Sequence, residues 1–190
     1  MRILIVILIF WNFPCFGQFG LAGELANSKD TGGIFQLVRR VDPCLDANWR
    51  LDSVRSQLIP HNRQGYLFYF HKNADGDKLQ RWYCFSYYSE FSGAWEKRYY
   101  SNGSLTEGNI YLDEKGIFLI TQFFRIQDST GTLSNKWRVV HEQYANCKLK
   151  DRITFTGDYW QMSKHFKSRT EFEEWKKKNS ATEMEVTNCP

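Results

Sequence analysis

Beyond position 17 the chain carries four cysteines, Cys44, Cys84, Cys147 and Cys189, in a strand-rich sequence of one-domain length. An even set after a secretion signal reads as disulfides, which persist only in oxidising compartments. Four cysteines allow three pairings, and spacing alone does not choose among them. The same set does not read as a zinc site: Cys-x-x-Cys is absent and His61, His71, His141 and His165 stand apart in the sequence. His141-Glu142 opens like a zincin helix motif, but the second histidine is missing. There is no Gly-x-Ser-x-Gly elbow and no phosphate-cradling glycine loop, and an even secreted set leaves no thiol for a Cys-His dyad. Catalysis, metals and cofactors are therefore not expected.

Two short motifs suggest recognition instead. In Asp158-Tyr159-Trp160, a strand would project the carboxylate and the indole to the same side. That pair suits a protonated amine, by ion pairing and cation–π attraction; the competing reading is a rim Asp beside a core Trp. Asn102-Gly103-Ser104 is a glycosylation sequon on an Asn-Gly turn, equally explained by the turn alone.

Residues 1–17 read as a signal peptide, with Arg2 ahead of the apolar run from Ile3 to Trp11 and small residues before a cut at Gln18. The net charge of +4 is modest and scattered, and gives no footprint for nucleic acid. The run Lys176-Lys177-Lys178 follows Glu171, Glu173 and Glu174, as a solvated helix aligned with its dipole would.

Residues 18–43 predict a loosely ordered arm, with helical turns around Phe35 to Val41. The spacing of Trp49, Val54 and Leu58 predicts a short helix closed by Pro60. Thereafter the pattern is β: strands near 65–71, 80–88, 94–100, 109–112, 116–124, 136–143, 148–155 and 159–162, separated by turn clusters. In 136–143, Trp137, Val139 and His141 share one face and Lys136, Arg138 and Glu142 the other. Residues 166–179 predict one amphipathic helix through Phe172 and Trp175. The expected fold is an eight-stranded antiparallel barrel, occupying residues 44–190, with that helix packed outside.

Three segments resemble the tick salivary lipocalins, the histamine-binding-protein family. Asp46-Ala47-Asn48-Trp49-Arg50 is similar to the family's Asp-Ala-Trp-Lys entry; Tyr66 to Cys84 is similar to its first long strand, acidic turn and cysteine. Val139 through Cys147, Asp158-Tyr159-Trp160 and Cys189 resemble its late strands and C-terminal anchor. The resemblance implies a lipocalin barrel with Cys84–Cys189 and Cys44–Cys147 disulfides. It also implies ligand-binding positions at Asp75, Asp158, Trp160 and Trp49, and a secreted monomer that sequesters a host amine or bioactive lipid. Some members bind host complement or clotting proteins instead, which is the alternative reading. Three departures weigh against a two-site histamine trap. Lys148 stands where the family has a carboxylate, and Lys72 and Lys78 flank the acidic turn, where like charge opposes an ammonium ion. Tyr66, Phe68, Trp95, Phe118, Trp137 and Trp160 are the aromatics available to enclose an apolar or anionic ligand instead.

Overall fold

The computed structural model describes residues 20–60, 63–74, 76–127, 130–158, 165–179 and 185–188. The chain begins with two helices, α1 (Leu21–Ser28) and α2 (Thr31–Arg39). Strands β1 (Arg50–Ile59), β2 (Arg63–Ala74), β3 (Asp77–Ser86), β4 (Phe91–Tyr99), β5 (Leu105–Asp113), β6 (Gly116–Gln127), β7 (Leu133–Ala145) and β8 (Lys148–Asp158) follow. Helix α3 (Arg169–Asn179) and a short β9 (Glu185–Asn188) end the described chain. All neighbouring strands pair antiparallel, in chain order from β1 to β9.

The sheet is strongly curled. Arg98 on β4 and Glu142 on β7 are three strands apart, which in a flat sheet would separate them by about 14 Å. Their side chains instead approach to 3.4 Å across the concave face. Among the described residues no ladder joins β1 to β8 or β9, so the hydrogen bonding describes an open meander where the sequence predicts a closed barrel.

Two expectations from the sequence are corrected. The arm at 18–43 is ordered rather than loose: α1 and α2 fill part of the concave side, where Ala22, Leu25, Ile34, Leu37 and Val38 share a core with Tyr66, Phe68, Phe70, Tyr83 and Phe85. Asp30 caps α2 by accepting from the Gly33 amide at 3.0 Å. Most of the predicted helix is strand β1 (Arg50–Ile59), with Trp49 just ahead of it. A bulge at Asp52 puts Leu51 opposite Phe70 and Val54 opposite Phe68, so Val54 faces inward where strict alternation from Leu51 would turn it out.

Strand β6 is buried on both faces, which explains its unbroken apolar run Ile117–Ile120. Ile117 and Ile120 join the concave core, whereas Phe118 and Leu119 join a second cluster on the convex side. That second cluster is covered by α3, through Phe172 and Trp175, together with Phe166 just ahead of the helix. Val139 and His141 lie buried in this convex layer, on the face opposite Glu142, as their alternation predicts. Helix α3 is also tied by polar contacts. Arg169 donates to Asp113 at 3.1 Å and to the Tyr144 carbonyl at 2.7 Å, Lys176 reaches Asp151 at 3.2 Å, and Gln143 donates to Glu173.

Cys44 and Cys147 form a disulfide with Cα atoms 5.1 Å apart. Cys147 sits with Asn146 in the two-residue turn between β7 and β8, both at positive φ (64° and 50°). That turn type suits Asn but not Cys, so the bridge explains the cysteine there. Gly116 lies alongside, where an added Cβ would come within 3.0 Å of Cys44 Sγ.

Candidate functional site

The concave face carries charge as well as aromatic rings. Strand alternation turns Arg81, Glu96, Arg98, Glu142 and Arg152 inward, from β3, β4, β7 and β8. They form an alternating chain of opposite charges. Asp42, just beyond α2, lies 3.7 Å from Arg81; Arg81 donates to Glu96 at 2.8 Å and Arg98 to Glu96 at 3.2 Å. Arg98 reaches Glu142 at 3.4 Å, and Arg152 donates to Glu142 at 2.7 Å. Tyr83 donates to Asp42, and Tyr144 donates to Glu142 at 3.1 Å.

Burial and neighbours set the protonation of this chain. Burial alone would lower the Arg81 and Arg98 pKa values, but the adjacent carboxylates, Glu96 for Arg81 and Glu142 for Arg98, hold both above the ordinary range. Burial raises Tyr144, and Glu142 adds to the shift; burial raises Tyr83, reinforced by Asp42. Arg81 and Arg98 are therefore held charged, and Tyr83 and Tyr144 neutral, across the physiological range.

Next to Glu142 the concave face opens into a cavity of about 560 Å³. Tyr100, Gln122, Phe124, Arg138, Val140 and Glu142 line it, with Arg152, Thr154 and Thr156 from β8 and Asn102 and Ser104 from the β4–β5 turn. Arg138 lies over the Phe124 ring at 4.6 Å, and Tyr100 donates to Gln122 at 3.2 Å. On the neighbouring row, Arg98 faces Thr106 across β4 and β5. The Nε of Arg98 and the Oγ1 of Thr106 are buried without a partner among the described residues.

The residues singled out from sequence fall elsewhere. Asp75, Trp160 and Cys189 lie outside the described residues. Asp158 ends β8, in register with Lys136. Trp49 is buried, with the Arg81 guanidinium 4.5 Å and the Lys72 ammonium 5.0 Å from its ring centroid. The ring thus serves the interior network and is not among the residues lining the cavity. Tyr66 and Phe68 pack in the core shared with α1 and α2, Phe118 packs beneath α3, and Trp95 stacks on Trp82 at 6.3 Å on the convex side. These rings were expected to be cavity walls, but the helices at both faces and the stack claim them. Among the described residues Cys84 is a buried thiol, raised in pKa by that burial, which accepts from Gln57 at 3.4 Å; its expected disulfide partner Cys189 lies outside them. Among the described residues no group of three or more His, Cys, Asp or Glu could hold a metal ion.

The sequence reading passed over Arg81, Glu96, Arg98 and Arg152. A signal was present: charged residues at inward positions of strands whose other inward residues are apolar, such as Arg81 between Leu79 and Tyr83. Cross-strand complementarity, Arg81 opposite Glu96 and Glu142 opposite Arg152, could have exposed it.

No family model, no curated protein and no solved structure matches this chain.

Proposed function

We propose that the protein is a secreted, non-enzymatic lipocalin that sequesters a small host mediator on its concave face. In this reading β1 to β8 complete a barrel, and removal of the mediator needs only stoichiometric binding. The observation that carries it is the concave cavity of about 560 Å³, whose wall is mainly polar, with Tyr100, Phe124 and Val140 as its apolar part. Its volume lies in the range of small-molecule sites.

Charge favours an anionic ligand, such as a bioactive lipid carboxylate, over a biogenic amine. The inward carboxylates Asp42, Glu96 and Glu142 each already lie against guanidinium groups. An ammonium ion would have to compete with Arg98 and Arg152, which already hold Glu142. Arg138 adds a further cation at the wall.

Titration calorimetry of the oxidised protein with leukotriene, histamine and serotonin tests this. The lipid is expected to bind one to one, to be lost in Thr154→Trp, which fills the cavity, and to weaken in Arg138→Glu. Heat from an amine alone would reverse the charge assignment. A second reading, inhibition of a host defence protein through loops, is favoured by Tyr87 and Tyr88, 41% and 50% exposed on the β3–β4 turn. Silence from all three ligands would favour it.

A further inference from the structure

The β4–β5 turn holds the sole Asn-x-Ser/Thr sequon of the chain in an unusually defined geometry. Asn102 Oδ1 accepts from the Ser104 amide at 2.9 Å and from the Ser104 hydroxyl at 2.6 Å. The turn is closed by the Tyr100 amide donating to Ser104 O and the Gly103 amide to Tyr100 O, each at 2.9 Å. Gly103, at φ 82°, has nothing within 4 Å of an added Cβ, so the tip projects into open space. With the amide oxygen engaged, Nδ2 is the atom left to present outward. Asn102 and Ser104 also border the concave cavity.

We infer that Asn102 carries an N-linked glycan that stands over the cavity mouth and limits the size of what enters. In the transfer, Nδ2 attacks C1 of a polyprenyl-pyrophosphate-linked oligosaccharide. The Nδ2–C1 bond forms, the C1–O bond to pyrophosphate breaks, an Nδ2 proton passes to a base, and the polyprenyl pyrophosphate departs. The glycan is bulkier than the cavity and remains outside it. The inference rests on export and on the cavity as the binding site, but its test does not need a ligand.

The full chain, expressed with its own N-terminal segment in eukaryotic cells, is treated with peptide-N-glycosidase. One glycan is expected by mass, absent from Asn102→Gln and Ser104→Ala and retained in Ser104→Thr. Protein bearing no glycan would overturn the inference. Thr154→Cys then places a thiol in the cavity, with wild type correcting for labelling at the native cysteines Cys84 and Cys189. A bulky maleimide should label the glycosylated form several-fold more slowly than the enzymatically trimmed form, and a small maleimide equally in both. Equal rates with the bulky reagent would remove the glycan from the mouth. Failure of leukotriene to bind, with the labelling difference present, would count against the proposed ligand and not against the glycan.

Discussion

Glu96 is the test case for the interior charge chain. Its carboxylate is 2% exposed and accepts from Arg81 at 2.8 Å and Arg98 at 3.2 Å. Glu96→Gln keeps the shape and removes the charge, leaving two guanidiniums that repel across the gap. Breaking a buried pair on one side costs about 3–5 kcal/mol, because a desolvated charge loses its partner. Arg81 retains Asp42 and Arg98 retains Glu142, which argues for the lower end of that range. At about 2–4 °C per kcal/mol for a chain of this size, the melting temperature should fall by roughly 6–12 °C. Thermal and urea unfolding with the Cys44–Cys147 bridge intact provide the assay. Arg98→Met alone and combined with Glu96→Gln completes a double-mutant cycle, in which the pair should couple by more than about 0.5 kcal/mol. A drop under about 2 °C, or strictly additive variants, would refute the claim that this chain holds the curled sheet together.

His141 is buried among Phe155, Phe166, Phe172 and Trp175, and burial pushes its pKa down to about 3. Between pH 6.5 and 3 the unfolded chain therefore binds a proton that the native one refuses, so stability should fall on acidification by about 1.4 kcal/mol per unit over that window. His141→Leu should flatten this slope, and parallel stability–pH curves would contradict it. Reducing the Cys44–Cys147 bridge, which spans 103 residues, should cost about 4–5 kcal/mol on the chain-entropy model, read from urea midpoints with and without reductant. Arg169→Ala removes two charge-assisted bonds that pin α3, and should destabilise by about 1.5–3 kcal/mol with faster amide exchange in residues 169–179. Unchanged exchange there would mean that Phe172 and Trp175 hold the helix without it.

The sheet was legible because its turns and alternation are local signals. Asn102-Gly103, the aromatic run of β2 and the polar–apolar alternation of β7 all speak through near neighbours. The β1 misreading took Trp49, Val54 and Leu58 for one helical face; Trp49 precedes the strand, the bulge at Asp52 brings Val54 opposite Phe68, and Leu58 is exposed. Helix α1 was not legible, and α2 only in its second half from Phe35, because burial against Tyr66, Phe70 and Phe85, distant in sequence, is what gives their apolar residues a place to pack. The site was the least legible part. A charge such as Glu142 reads as solvent-facing until partners from β4 and β8, 44 and 10 residues away, are known to meet it.

The bridge from Cys44 to the β7–β8 turn has a further consequence. It makes the chain from β1 to β7 a covalent ring. A protease that cuts one of the turns between β2 and β7 opens that ring without releasing either piece, and the ladders on both sides keep the ends in register. Nicked molecules would thus migrate as intact protein on a non-reducing gel and separate only when reduced. In a protease-rich setting this gives the protein a working life longer than that of its backbone.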